Sequence, residues 1–361
     1  MPTFTGFQVS VTAQTLTTTL TLHELKDALA SQPPVAEGRR AGWRGSANEG
    51  SNLNIQNGVP PLHAPTILAA DDFYPERLAA RFYYWEQRKL NDGVARGWFL
   101  DGVDVLISEI DGSYLVLWSS HDATLIGTRK GDASASLESL ASGEDAPRAQ
   151  LHDDSPLRIA EDDIYLWLTR KADRRQALSD GVFVNSVEAL TTGENAGGRA
   201  QTSRRSGTLA GSVDLSRISF LTAVATESTL GPAAVSLAIP NDDDTFDQIA
   251  ARVWRNSQYR ILTGSSHFRG RILEADEKRL EIVQALAYRF IPLIISERDD
   301  DDDWSATQRD RLVLEKQIEL ARIFRALALD NPLWDAYAEE QNGDVFAEMP
   351  TAELEAPPLV D

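Results

Sequence analysis

Histidines and carboxylates are the side chains of this chain that can hold a metal or move a proton. The five histidines, His23, His63, His121, His152 and His267, miss the short spacing that sets two imidazoles on one helix face. His121-Asp122 and His152-Asp153-Asp154 make a metal site only if the fold joins them, and two surface loops explain them as well. A nuclease centre needs carboxylates for Mg²⁺ and a lysine for the developing charge. Asp242 and the run Asp276-Glu277-Lys278 supply those types. That run, however, continues into Arg279 and Glu281, the mixed charge of a solvated helix face. Asp242-Asp243-Asp244 suits the positive end of a helix equally well. The five consecutive aspartates 299–303 repel one another and are expected to stay solvated. His267, between Gly264-Ser265-Ser266 and Phe268-Arg269-Gly270-Arg271, has the surroundings of a phosphate contact, but also those of an ordinary surface loop.

Other catalytic patterns find no foothold. The glycines of 193–198 lack the Lys-Ser/Thr that completes a phosphate-cradling loop, and no Gly-x-Ser-x-Gly elbow occurs. Without a cysteine, thiolate metal ligands, disulfides and thiol nucleophiles are excluded. No catalytic residue, cofactor or metal ligand is assigned. What remains is a local reversal of charge. Residues 164–210 carry seven basic against four acidic side chains, within a chain of net charge −20. Arg170, Arg174, Arg175, Arg199, Arg204 and Arg205 are the candidate binding residues, since guanidinium groups grip phosphates and carboxylates in pairs. Their other reading is ion pairing with the chain's own acidic surface.

The −20 charge opposes general adhesion to nucleic acid or anionic membrane. No apolar run reaches the ~18 residues of a membrane span, and the start MPTFTGFQVSVT lacks a secretory pattern. A cytoplasmic protein is expected. Six lysines against 29 arginines, with abundant aspartate, point to a GC-rich or salt-adapted prokaryote. The leading expectation is a non-enzymatic interaction or assembly subunit that binds a protein or itself. The alternative is a nucleic-acid-binding accessory protein, in a setting such as genome defence, and a metal-dependent nuclease comes third.

The elements that would position these groups point to an α+β fold. An N-terminal strand-rich domain is expected over 1–150, a C-terminal mixed domain over 151–343, and an acidic disordered tail over 344–361. The boundary falls in the polar stretch 142–155. Alternation predicts strands over 4–13, with 15–21 extending or pairing with it, and over 182–187, 233–239 and 259–262. It also predicts a hairpin over 103–118 that turns at Asp111-Gly112. The apolar runs 164–168 and 290–295 read as strands, the second confined to an edge or bulge by Pro292. Helices are predicted over 22–29, 75–90, 245–255, 274–288 and 305–329, with a short one around Leu137 and Leu140. A further helix restarts after Asn331-Pro332, and 213–224 is ambiguous. On the long helix, Val313, Leu320, Phe324 and Leu327 form the expected buried face. The polar tracts 31–61 and 190–209 lose all periodicity and are expected to be flexible.

Overall fold

The computed structural model describes residues 10–33, 41–43, 64–89, 96–119, 132–143, 147–160, 163–188, 222, 232–240, 245–269, 273 and 275–329. Alternating side chains build the centre of the molecule, a ten-stranded antiparallel sheet ordered β2-β3-β4-β5-β1-β10-β9-β8-β7. Its strands are β1 (Ser10–Thr17), β2 (Thr66–Leu68), β3 (Arg77–Lys89), β4 (Arg96–Ile110) and β5 (Ser113–Trp118). They continue with β6 (Gln150–His152), β7 (Phe183–Glu188), β8 (Ala233–Pro240), β9 (Phe246–Val253) and β10 (Gln258–Ile261). The short β6 lies off this path and pairs with β1, His152 opposite Thr15. Strand β1 also pairs with β5, Gln14 opposite Val116, and with β10, Ser10 opposite Arg260. Strands from both sides of the polar stretch 142–155 therefore share one sheet. With the helices described below, the chain is α+β.

The period of two assigns each strand residue to a face. Leu78, Ala80 and Phe82 of β3 join Val103, Val105 and Ile107 of β4 beneath helices α1 (Leu22–Ala30) and α2 (Ala133–Ala141). Thr21 caps α1 by accepting from the Glu24 N–H, while the Glu24 carboxylate accepts from the Thr21 N–H in return. Trp43, from the tract expected to be flexible, is fully buried in this layer. Its indole donates to Ser136 Oγ at 2.9 Å, and Gly42 exchanges two backbone hydrogen bonds with Tyr83. Most of 31–61, all of 190–209, all of 213–224 except Thr222, and everything beyond Leu329 lie outside the described residues.

The opposite face of the sheet packs on α3 (Ile164–Arg174) and on a helical stretch made of α4 (Ala275–Ala285), a π turn (Leu286–Phe290) and α5 (Ile291–Asp299). Tyr165 of α3 donates to Val253 O at 3.0 Å and Tyr259 of β10 donates to Val283 O at 3.2 Å, pinning both helices to the sheet. The last helix, α6 (Ala306–Leu329), starts behind Ser305, whose hydroxyl accepts from the Gln308 N–H at 3.4 Å.

Four segments depart from the periodicity reading. Residues 77–89 and 246–253 are strands rather than helices. The first is buried on two faces, so apolar residues run almost continuously. In the second, Ile249, Ala251 and Val253 bury one face while Phe246 and Ala250 put apolar groups on the other. Both patterns mimic a helical stripe. Residues 164–168 open a helix buried all round, where a short apolar run carries no period to distinguish it from a strand. Residues 290–295 continue a helix through the π turn. A proline in an α-helix meets the carbonyl four residues back, and the wider turn before Pro292 accommodates its ring.

Candidate interaction site

Helix α3 ends in the cationic run Arg170-Lys171-Ala172-Asp173-Arg174-Arg175, the first half of the predicted basic cluster. Cations there complement the negative end of the helix dipole. The structure sends them to two places. Arg170 is buried, its guanidinium 5.5 Å from the Trp304 ring centre, and Nη1 lies 3.8 Å from Asp301 Oδ2, an ion-pair distance too long for a hydrogen bond. Lys171 sits 3.0 Å from the same oxygen, and the Trp167 indole donates to it at 2.7 Å. Arg174 and Arg175 are both exposed. Arg175 caps the helix in the left-handed conformation, φ 51°, its N–H donating to Ala172 O at 3.2 Å. Arg199, Arg204 and Arg205 lie outside the described residues, so the structure brings together only the α3 members of the set.

Asp301 belongs to a tie between α3 and the turn that precedes α6. Burial alone would raise its carboxyl; the Trp167 and Lys171 hydrogen bonds, with the Lys171 and Arg170 charges, outweigh that and hold it below the usual range. Asp163, just before α3, makes the companion tie. It accepts from Arg298 at 2.9 Å and 3.1 Å and from the Trp304 indole at 2.7 Å. Each aspartate thus satisfies one tryptophan N–H and faces at least one cation. The aspartate run was expected to stay solvated, but Asp301 is pulled in because two indoles and three cations converge on this corner.

Beyond the corner, the first half of α6 is fastened to the body. Leu312 and Val313 are buried, and Lys316 Nζ reaches Asp173 at 2.5 Å and Glu319 at 3.2 Å. Burial pushes the Lys316 ammonium down, and its bonds and charges with Asp173 and Glu319 more than reverse that, leaving it above its ordinary value. Leu314 is 49% exposed, and Phe324, about three turns beyond the buried Val313 on nearly the same bearing, is 51% exposed. The expected inward face is therefore corrected at Phe324, which faces solvent, while Val313 packs as predicted and Leu320 is half-buried. The heptad step from Leu314 to Ala321, with Phe324 three residues on, is the sequence signal for this second stripe.

The remaining candidates fall elsewhere. His152 and Asp154 line an open cleft of about 410 Å³ with Thr15, Asp111 and Ser113. Nearby, Asp153 accepts from Gln14 Nε2 at 2.7 Å and Glu138 from the Leu151 N–H at 2.8 Å, so these two carboxylates brace β6. His23 lies 3.5 Å from Glu76 on the surface. His267 pairs its backbone with Gln248 and is exposed. Among the described residues no three His, Asp or Glu side chains are grouped to hold a metal; His63, His121 and Asp242 lie outside them. Lys278 of the Asp276-Glu277-Lys278 run donates to Thr263 O at 3.0 Å, tying α4 to the end of β10. No described helix is long and apolar enough to cross a membrane. No protein-family model matches the chain, and neither do any curated proteins or solved structures.

Proposed function

We propose that the chain is an interaction or assembly subunit that presents α6 to another polypeptide. One observation carries this reading. The helix is fastened in its first half by Leu312, Val313 and Lys316, yet it holds Leu314 and Phe324 half in water. Large apolar side chains aligned on a rigid, charged helix are what helix-mediated recognition uses. A photo-reactive phenylalanine analogue at position 324 tests it in cells of the source organism. The expected result is a discrete protein adduct that disappears when Leu314 is also changed to Glu. Absence of any adduct overturns the reading.

A second reading, nucleic-acid binding, is favoured by Arg174 and Arg175, adjacent and exposed at the end of α3. Each phosphate contact contributes about −0.9 to the slope of log affinity against log salt on duplex DNA. If these residues grip phosphates, Arg174→Ala/Arg175→Ala reduces that slope by nearly two contacts. No binding to single- or double-stranded DNA or RNA at low salt removes this reading.

A further inference from the structure

The pattern on α6 carries more than exposure, because it is complementary to itself in the reversed direction. We infer that the polypeptide docking on α6 is a second copy of this chain, its helix antiparallel to the first; this rests on the interaction reading above. Residues three, four and seven apart share a helix face, so Leu314, Gln317, Ala321 and Phe324 form one stripe about 15 Å long. All four are exposed, Leu314 and Phe324 about half so. Two antiparallel helices related by a twofold axis place early positions of one against late positions of the other. Setting Leu314 against the second copy's Phe324 fixes the register, and it does so twice by symmetry. Gln317 then lies opposite Ala321, a long side chain over a short one.

Charge supports the same register. Glu315 and Arg322 are seven residues apart on one flank of the stripe, and both are exposed. In the register set by Leu314 and Phe324, Glu315 of each helix falls within one residue of Arg322 on the other. In a parallel arrangement the two Glu315/Arg322 flanks would fall on opposite sides of the contact, and this complementarity would be lost. Glu315 also accepts from Arg311 within its own helix at 3.2 Å, an exposed bond that reaches along the same flank. The contact involves about three turns from each helix. That falls below the ~1,200 Å² of standard stable interfaces, so the pairing is a weak, concentration-dependent one.

Sedimentation equilibrium on the full chain, from low micromolar to near millimolar, is the test. The expected result is a monomer–dimer equilibrium that Phe324→Glu abolishes. Glu315→Arg and Arg322→Glu should each weaken it by about tenfold, since each sets like charges opposite one another. Together in one chain they should restore it, because the two signs have exchanged places. Circular dichroism confirms folding of each variant, all three positions being exposed. A dimer that ignores both charge reversals overturns the α6 pairing, and a chain that stays monomeric overturns self-association. In that case the cross-link at position 324 still judges the interaction reading separately: an adduct with a different protein preserves it, and none ends it.

Discussion

Removing the Asp104 carboxylate should be among the most damaging single changes in the sheet. Arg81 and Asp104 stand directly opposite each other on β3 and β4. Arg81 Nε donates to Oδ1 at 2.5 Å and Nη2 to Oδ2 at 2.7 Å, with both side chains only 3% exposed. Taking one partner from a buried pair leaves the other charge poorly compensated and costs about 3–5 kcal/mol. Against a typical domain stability of ~5–15 kcal/mol, Asp104→Ala removes about a fifth or more of the total. Gly102 extends the argument, because an added Cβ would lie 2.8 Å from Arg81 Cδ and 3.0 Å from Cγ. Those atoms are mid-stem in a side chain fixed at its tip, so Gly102→Ala should cost about 1–3 kcal/mol by overpacking. Urea titration with a common m value measures both. The decisive variant is Arg81→Met/Asp104→Leu, which removes both charges and keeps the volume. It should lose far less than the two single changes combined. A double variant as unstable as their sum, or an Asp104→Ala loss below about 1 kcal/mol, refutes the reasoning.

Asp301→Asn should keep an acceptor for Trp167 and lose the attraction of Lys171 and Arg170. A carboxyl held below its ordinary value contributes stability above the unfolded pKa of about 4 and loses it as pH falls through the folded one. The gap in urea midpoint between wild type and Asp301→Asn should therefore be widest near neutrality and close below about pH 4; a gap that persists in strong acid would contradict the ion pair. Phe324→Ala, at a half-exposed site, should cost less than about 1 kcal/mol rather than the ~3–5 of an emptied aromatic core position. Thermal denaturation of the dilute protein checks it, and a large drop would place Phe324 in the core.

Sequence pattern was most legible where one face of an element meets water. Helix α1, with Leu22, Leu25 and Leu29 inward, and the hairpin turning at Asp111-Gly112 both follow the expected pattern. Asp111 and Gly112 adopt φ 51° and 78°, as the tight turn demands. Where both faces are buried, the signal fails in both directions. Phe82, Tyr83 and Tyr84 fill two sides of a strand, and Ile164 to Leu168 fill every side of a helix. Burial erases the polar residues that mark the period. The interaction site was partly legible. Apolar content showed that α6 would pack but not which stripe, because the inner side is chosen by contacts with α3 that no local pattern encodes. Likewise, nothing in five equal aspartates distinguishes Asp301; Trp167, far away in sequence, makes that choice.

The position of β1 bears on how the chain is made. During synthesis β1 can pair with β5 once residue 118 has emerged, closing the ladder that also holds β3 and β4. Its other edge needs β6 at one end and, at the other, β10, whose Arg260 meets Ser10. Until most of the chain has left the ribosome, that edge carries open N–H and C=O groups near the middle of the future sheet. Such a late, non-local closure is slow, and an open strand edge is a template for other chains. Production at high expression rate should thus favour aggregates seeded at β1, and slower translation between residues 118 and 258 should aggravate them.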